Sequence, residues 1–231
     1  MTLAKFQNEI HNLKSNKWRN LYLKLLNNYE LDKVLEIGSG SPEFLDNIKA
    51  NSKFAFDSGN KFKDHFIKNN INFTKIDLDH DQFPNYNNFD LVISSDVFEH
   101  LIYPKKSLDF IHQALTPKGV LISHVPNEFY FSSLIKILLG LKTSNIFHNE
   151  ISEYENPHLR RFTKKGYLDF LKKKFKYNIY LSDVYYNFAS KILSTLKIPV
   201  PYMLEPGPTF ISTKSEETYW EFIKLKEKIF N

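Results

Sequence analysis

The sequence predicts an α/β protein whose sheet is mostly parallel and is covered by helices on both faces. Two observations carry this prediction. Between residues 31 and 125, short apolar runs typical of buried strands alternate five times with helical patterns. The first run, Val34–Ile37, leads through Gly38-Ser39-Gly40 into a predicted helix, which is the first unit of a Rossmann-like, doubly wound fold. A ligand is therefore expected beyond the carboxyl end of the first strand.

The elements of the first half follow from apolar spacing and from turn residues. Helical spacing predicts a helix over 17–29, and a second is predicted from Pro42 to about Ala50. Pro104, a favourable first-turn residue, begins a third helix that runs to Leu115. Thr116-Pro-Lys-Gly119 predicts a turn before the fifth strand. The five predicted strands lie at 33–37, 53–57, 71–77, 89–94 and 119–125.

The alternation ends after Pro126. An apolar helical pattern spans 129–141, and a polar loop continues to Pro157. Nothing in the five-strand core requires this apolar face, so the segment 128–163 is predicted to form a lid over the ligand pocket, with a helix that covers the core as the alternative. The later elements are predicted as a helix at 163–175, strands at about 178–186 and 209–214, and a final helix at 215–230.

Length and composition indicate one soluble domain. The chain has 231 residues, of which 42% are hydrophobic and 25% charged. It is predicted to consist of N-terminal helices (1–30), a cofactor-binding core (31–127), the lid insertion (128–163) and a C-terminal part with helices and the last two strands (164–231). The absence of cysteine from the sequence excludes disulfides, thiolate metal sites and cysteine nucleophiles.

Charge and hydropathy bear on partners and compartment. The net charge is +5, but the lysines are scattered among acidic and amide residues, so a solvated basic face is favoured over a nucleic-acid surface. The first residues lack the apolar core of a signal peptide, and no apolar run is long enough to cross a membrane. We therefore predict a cytoplasmic protein with no nucleic-acid partner.

The residues around the first turn favour one ligand over two others. A dinucleotide fingerprint needs a third glycine where the chain has Glu43, and no Gly-Lys-Ser/Thr follows for a P-loop. Glu36, two residues before the first glycine, suits a ligand with an ammonium group. Asp57 ends the second strand, where a carboxylate can accept both ribose hydroxyls, and Asp77 ends the third, where it can accept from an adenine amino group. Amino acid, ribose and adenine together indicate S-adenosylmethionine.

Five ordered motifs carry a family resemblance. They are Val34-Leu-Glu-Ile-Gly-Ser-Gly40, Asp57, Ile76-Asp-Leu-Asp79, the stretch Phe89-Asp-Leu-Val-Ile-Ser-Ser-Asp-Val-Phe-Glu-His-Leu101, and Leu115-Thr-Pro-Lys-Gly-Val-Leu-Ile-Ser123. From about residue 30 to 127 their order and spacing resemble those of class I S-adenosylmethionine-dependent methyltransferases. The small-molecule enzymes of the ubiquinone pathway, the methionine-biosynthesis W type and those of glycan gene clusters are the most similar. Like the glycan-cluster group, the chain has Val125-Pro-Asn127 and His158-Leu-Arg-Arg-Phe-Thr163.

The resemblance implies a seven-stranded sheet whose last two strands form an antiparallel hairpin. It also implies the cofactor site, whose predicted residues are Glu36, Gly38, Ser39, Gly40, Asp57, Asp77, Leu78, Ser94 and Ser95. The chain departs from the family at Pro42, where a third glycine is usual; we interpret Ser41 as the N-cap and Pro42 as the first residue of an altered helix start.

The predicted chemistry centres on histidine. His100 is a candidate general base for a hydroxyl, with a buried structural role as the alternative, and His158 is a second catalytic candidate. The predicted acceptor-binding residues are His124, Asn127, Tyr130, Arg160 and Arg161. No metal is predicted, because the acidic cluster over residues 77–81 matches no ligand spacing.

The predicted function is transfer of a methyl group from S-adenosylmethionine to a small-molecule or glycan/lipid head-group acceptor, most readily at oxygen, with S-adenosylhomocysteine as product. Base methylation of nucleic acid is disfavoured because Ser94-Ser-Asp-Val97 replaces the Asn/Asp-Pro-Pro-aromatic motif of those enzymes. Two alternatives stay open. One is a polyprenyl-quinone O-methyltransferase with weak membrane-surface contact, and the other is a binding module without turnover. The sequence does not predict an oligomeric state.

Overall fold

A computed structural model describes residues 31–140, 158–181, 201–205 and 207–230, together with the single positions 23, 25, 26, 29, 193 and 196. Its centre is a seven-stranded sheet with the order β3-β2-β1-β4-β5-β7-β6. The strands are β1 Lys33–Ile37, β2 Ser52–Asp57, β3 Asn72–Lys75, β4 Phe89–Ser95, β5 Leu115–His124, β6 Tyr177–Tyr180 and β7 Thr209–Thr213. The first five are parallel, and β7 is antiparallel to both β5 and β6. The predicted mostly parallel sheet with an antiparallel last hairpin is confirmed.

Helices cover both faces of this sheet. They are α1 Glu43–Asn47, α2 Lys63–Lys68, α3 Pro104–Ala114, α4 Phe131–Leu138, α5 Lys164–Leu171 and α6 Glu216–Phe230, and a 3-10 turn spans Tyr202–Leu204. Alternate strand residues feed two separate cores, as the two-residue period of a strand requires. Leu35 of β1 packs in the core with α3 and α5, whereas Val34 packs in the core with α1, α2 and α6.

The strand order places every parallel strand's carboxyl end at one edge. Because β1 lies between β2 and β4, the loops that follow these three strands are neighbours at the centre of the sheet. This is the point where the strand order reverses, and doubly wound sheets bind ligands there. The candidate site is built on these loops.

Several predicted boundaries differ from the structure. The strand β5 begins at Leu115, and the predicted turn at Thr116–Gly119 lies inside it: Phe89 pairs with Leu115 but Leu91 pairs with Val120, so the extra residues of β5 form a bulge. A Cβ on Gly119 would lie 2.7 Å from the carbonyl oxygen of Phe89, which explains why a turn-forming residue occurs within a strand.

The helix after the first turn also begins later than predicted. It starts at Glu43, with Pro42 in the preceding position, and no side chain caps it. The interpretation of Ser41 as the N-cap is therefore wrong, because its hydroxyl makes no hydrogen bond with any described residue. Most of the predicted helix at 17–29 and the loop 142–157 lie outside the described residues. None of the described helices is long and apolar enough to cross a membrane.

Candidate active site

The turn after β1 brings the backbone close to the loop after β4. Gly38 has φ +61°, a conformation that L side chains rarely adopt, and a Cβ there would lie 2.4 Å from Cγ2 of Val97. The glycine thus satisfies both a backbone and a packing requirement. Gly40 also has positive φ, at +39°, but a Cβ added there would meet only a backbone oxygen at 3.8 Å. Space beside Gly40 is therefore open to a ligand.

Asp57 connects the first turn to the end of β2. Its Oδ2 accepts the N–H of Gly40 at 2.8 Å, and its Oδ1 accepts the N–H of Gly59 at 2.7 Å. A carboxylate offers about four lone-pair positions, so each oxygen retains capacity for a ribose hydroxyl. The same residue can therefore hold the turn and contact a ligand.

These loops enclose a cavity of about 440 Å³, within the range of small-molecule sites. Of the predicted cofactor residues, Gly38, Gly40, Asp57, Asp77 and Leu78 line it. The other lining residues are Ser58, Ile76, Asp79, Asp96, Val97, His100 and Leu101. The cavity therefore extends from the first turn, past the ends of β2 and β3, to the loop after β4, and apolar side chains alternate with carboxylates along it.

Two neighbouring aspartates in the loop after β3, Asp77 and Asp79, make different contacts. Asp79 accepts the N–H groups of Ile102 and Tyr103, at 2.9 and 2.8 Å, and so holds the approach to α3. Asp77 accepts the N–H groups of Asp79 and His80 and pairs with the His80 ring at 3.0 Å. The hydrogen bond from His80 lowers the pKa of the Asp77 carboxyl, which keeps it ionised at neutral pH. Asp77 is exposed whereas Asp79 is half-buried, so Asp77 is the more accessible of the two to a ligand.

Four predicted cofactor residues do not line the cavity. Glu36, Ser39 and Ser94 are buried behind the first turn, and Ser95 is half-buried at the end of β4. Ser39 donates its N–H to the carbonyl oxygen of Phe56, which extends the pairing of β1 with β2. Their prediction as cofactor contacts is neither confirmed nor contradicted by the cavity lining.

The two predicted catalytic histidines, 58 positions apart in the sequence, meet in the structure. The rings of His100 and His158 lie 4.6 Å apart, edge to face. The N–H of Arg160 donates to the carbonyl oxygen of Glu99 at 3.0 Å, which holds the segment after residue 157 against the loop after β4. His100 lines the cavity, and Nδ1 of His158 is hydrogen-bonded to Oε1 of Glu128.

Glu99 lies beneath these histidines. Its side chain is 1% exposed, and its Oε1 is 3.9 Å from Nε2 of His100. Burial raises the pKa of the Glu99 carboxyl well above its usual range, and the nearby Asp96 and Glu128 carboxylates raise it further. Two histidines and at least two carboxylates therefore share one corner of the cavity.

Most predicted acceptor-binding residues have structural partners. The Arg160 guanidinium donates to the carbonyl oxygens of Leu101 and Ile102. Nδ2 of Asn127 donates to the carbonyl oxygens of Tyr202 and Glu205, both at 2.8 Å, and its Oδ1 accepts the N–H of Phe129. These contacts organise the segments around the cavity, and acceptor binding by Arg160 and Asn127 stays a prediction.

His124, Tyr130 and Arg161 complete the predicted set. Nδ1 of His124 lies 2.9 Å from Oγ1 of Thr209, and its Nε2 is 3.5 Å from Oδ1 of Asp96, a cavity residue. Burial lowers the pKa of the His124 imidazole, which is therefore neutral at pH 7. Tyr130 is half-buried just before α4, and Arg161 is exposed.

Sequence reasoning missed Glu99, Glu128 and Asp96. Glu99 is adjacent to the predicted His100, and Asp96 directly follows the end of β4, where ligand contacts are expected in a doubly wound sheet. Both positions could therefore have identified Glu99 and Asp96 as candidate site residues from the sequence. Glu128 had none, because its proximity to His158 depends on a contact across 30 residues.

A comparison with known proteins decides the family. A family model described as a methyltransferase domain matches residues 10–178. The chain belongs to the class I S-adenosylmethionine-dependent methyltransferases. The cofactor of this methyltransferase is S-adenosylmethionine, and the cavity fits it: Asp57 keeps acceptor capacity for ribose, Asp77 is ionised, and Ile76, Leu78 and Leu101 supply apolar walls.

Solved methyltransferase structures share this fold at low identity. An S-adenosylmethionine-dependent methyltransferase from Clostridium acetobutylicum is 15% identical, with a TM-score of 0.60 over 92% of this chain and 99% of that one. A possible histamine N-methyltransferase from Thermotoga maritima is 17% identical, with a TM-score of 0.56 over 91% and 97%. The N-methyltransferase NodS from Bradyrhizobium japonicum, solved with S-adenosylhomocysteine, is 11% identical, with a TM-score of 0.54 over 87% of each chain. No curated protein sequence matches the chain.

Proposed function

We propose that this methyltransferase transfers a methyl group to an oxygen of a small-molecule or glycan/lipid head-group acceptor, with His100 as the general base. The observation that carries the proposal is the position of His100 on the cavity wall, within 3.9 Å of the buried Glu99 carboxyl and in ring contact with His158. A histidine suits proton abstraction near neutral pH.

S-adenosylmethionine, when bound, supplies a methyl group that is electrophilic because it is attached to a sulfonium. The acceptor hydroxyl gives its proton to His100 as its oxygen bonds to the methyl carbon, and the carbon–sulfur bond breaks with its electron pair remaining on sulfur. The Glu99 carboxyl lies beside the imidazolium that forms, with its Oε1 3.9 Å from Nε2 of His100. The protein otherwise aligns the two reactants and excludes water.

Oxygen is favoured over nitrogen because a hydroxyl is a weak nucleophile until a base removes its proton, and a candidate base lines the cavity. The competing class is an amine acceptor, which NodS and the possible histamine enzyme represent among the similar structures. Labelled S-adenosylmethionine incubated with extracts of the source organism, followed by mass spectrometry of the labelled products, identifies the acceptor and the methylated atom. An N-methyl or C-methyl product contradicts the proposal, and the absence of any product indicates a binding module.

The base role makes a kinetic prediction. His100→Ala is expected to lower turnover by about a hundredfold or more, while the Kd for S-adenosylhomocysteine stays near the wild-type value. His65→Ala, which removes a half-buried histidine on α2 that pairs with Asp46, is the control and should retain wild-type turnover. Equal losses in turnover and cofactor affinity for His100→Ala would instead indicate a structural histidine.

A second candidate acceptor is a polyprenyl quinone at a membrane surface. The observation that favours it is α4, which has no buried residue and exposes Phe131, Ile135 and Leu138. An exposed apolar helix face can contact lipid. Flotation with liposomes tests this candidate: wild-type protein should float with the vesicles and Leu138→Asp should not.

A further inference from the structure

The corner of the cavity beside His100 holds a set of metal-ligand side chains. Glu99, His100 and His158 each offer one ligand atom, and these atoms all lie within 4.8 Å of one another. This cluster is separate from the acidic loop 77–81, for which no metal is predicted. We propose that the three side chains bind a divalent transition-metal ion, of the class that accepts imidazole and carboxylate together, such as zinc, manganese or iron(II).

The Glu99 carboxyl is the observation that points to a ligand. It is 1% exposed, and neither of its oxygens has a hydrogen-bond partner among the described residues. Buried carboxyl groups nearly always have such partners. Apart from its own backbone N–H, an ionised Glu99 lacks donors among the described residues, and a protonated Glu99 lacks an acceptor for its hydrogen. A cation between Glu99 and the two imidazoles supplies the missing interaction for a carboxylate.

His158 is already oriented for coordination. The Glu128 carboxylate accepts the hydrogen on Nδ1 of His158, so in the neutral ring Nε2 carries the lone pair. Carboxylates commonly hold the outer nitrogen of a metal-binding histidine in this way. The hydrogen bond from the N–H of Arg160 to the carbonyl oxygen of Glu99 fixes the distance between the two segments that carry the ligands.

The separations match a site that closes around an ion. Metal–nitrogen and metal–oxygen bonds of about 2.0–2.2 Å place neighbouring ligand atoms roughly 3–3.5 Å apart. Oε1 of Glu99 and Nε2 of His100 are 3.9 Å apart, and the widest pair in the cluster is within 4.8 Å, so rotations of side chains suffice. Two nitrogen ligands favour zinc, manganese or iron over magnesium and calcium, which prefer oxygen.

Three protein ligands leave a coordination position open, as catalytic metal sites do. Because His100 also lines the cavity, an ion held by this side chain would lie at the cavity wall. The role of the ion rests on the proposed function: it would orient the acceptor oxygen and lower the pKa of its hydroxyl. In the ion-bound protein Nε2 of His100 would be a ligand, so acceptance of the proton by His100 would apply to the metal-free protein alone.

Metal binding can be measured without turnover. Untagged, chelator-stripped protein is titrated with Zn²⁺ by calorimetry and with Co²⁺ by visible absorption, and one ion per chain is expected in both. His158→Ala and Glu99→Gln should each weaken Zn²⁺ binding by more than about a hundredfold, and Glu128→Gln by about 10–100-fold, as for an outer-shell partner. The matched control is His65→Ala, which removes a histidine 2.8 Å from a carboxylate but without a third ligand, and its Zn²⁺ affinity should equal that of the wild type.

Binding of S-adenosylhomocysteine to each variant shows that it is folded. The proposal is overturned if folded wild-type protein binds no Zn²⁺, or if His158→Ala binds it as tightly as the wild type. Methyl transfer to an oxygen that depends on His100 but survives complete metal removal would overturn the catalytic role of the ion and leave the proposed function intact. The wild-type protein could also bind one ion per chain, lose it in the ligand variants and yield an N-methylated product. That result would overturn the proposed function and support the metal site.

Discussion

At the scale of single residues, Asp57 combines a structural and a ligand-binding position. Its two oxygens hold the backbone of Gly40 and Gly59 from opposite sides, so the carboxylate is oriented before any ligand arrives. An acceptor group that is already fixed loses little conformational entropy when it binds. The carboxylate at the end of β2 is therefore oriented in advance for the ribose contact predicted for it.

Substitution of Asp57 tests that arrangement. Asp57→Ala is expected to weaken binding of S-adenosylhomocysteine by about 1–3 kcal/mol, because charge-assisted hydrogen bonds to the ribose are removed and the turn loses its anchor. Isothermal titration calorimetry measures the change. Asp64→Ala, an exposed acid on α2, is the control and should bind like the wild type. Unchanged affinity in Asp57→Ala would show that the ribose lies elsewhere.

Gly38 makes a prediction about packing. Gly38→Ala is expected to lower the free energy of unfolding by about 1–3 kcal/mol, because its methyl group would lie 2.4 Å from Cγ2 of Val97 and its φ of +61° is strained for alanine. Urea denaturation measures this loss. The double variant Gly38→Ala/Val97→Ala should be less destabilised than the two single changes added together, because the second change removes the clash. Strictly additive losses would contradict the steric explanation.

The sequence predicted the positions of residues at the cavity where a motif lies at a strand end. Gly38, Asp57 and Asp77 line the cavity because consecutive strands deliver them to one edge. Arg160 and Asn127 were predicted to bind the acceptor from a resemblance that carries no information about backbone partners, and in the structure both donate to carbonyl oxygens. The proximity of Glu128 to His158 depends on tertiary packing that no local pattern encodes.

At the scale of elements, α4 is the least embedded helix of the described structure. None of its residues is buried, and Leu138 and the following Leu139 are 85% and 66% exposed. A helix that covered the core would bury its apolar stripe, so the alternative of a core helix is disfavoured for Phe131–Leu138. The lid itself stays a prediction, and its polar loop lies outside the described residues.

Hydrogen exchange tests the lid. Amides of α4 should exchange much faster than those of β4 in the free protein, because few contacts oppose local opening. They should slow when S-adenosylhomocysteine and an identified acceptor are both present. Protection equal to that of β4 without ligands would show that α4 is part of the core after all.

Element boundaries reveal what the sequence pattern can resolve. The five parallel strands and their order of appearance follow from apolar runs and were predicted correctly. The sequence predicted a turn at Thr116–Gly119, where the structure has a bulge in β5. Proline and glycine, here Pro117 and Gly119, occur both in turns and at strand bulges. The pairing of Leu115 with Phe89 distinguishes the bulge from a turn. Phe89 is too distant in the sequence for a local pattern around Leu115 to indicate this pairing.

At the scale of the whole molecule, stability should depend on pH through buried histidines. Burial lowers the pKa of His124, and burial together with nearby Lys214 and Lys174 lowers that of His112. An unfolded histidine has a pKa of about 6.5, so below that pH the unfolded chain binds protons that the folded protein excludes. The free energy of unfolding should therefore be fully retained above about pH 6.5 and fall as the pH drops towards the lowered folded values.

Urea denaturation at several pH values and fixed ionic strength measures this dependence. His124→Gln removes one titrating group, so its free energy of unfolding should fall less steeply than that of the wild type between about pH 6.5 and 5. The double variant with His112→Gln should be flatter still. Parallel wild-type and His124→Gln curves across this range would contradict the assigned direction of the His124 shift.

The antiparallel strand β7 has a consequence for biosynthesis. It lies between β5 and β6, so the interior of the sheet is completed by residues 209–213, which pair with β5 across about ninety positions of the chain. During translation, the outer edge of β5 therefore stays open after β1–β5 have left the ribosome, and β6 emerges before β7, its neighbour in the described sheet. Long-range pairing of this kind folds slowly and leaves a strand edge exposed to other chains. The nascent protein is thus most vulnerable to aggregation late in its synthesis, when its cofactor-binding loops have already emerged.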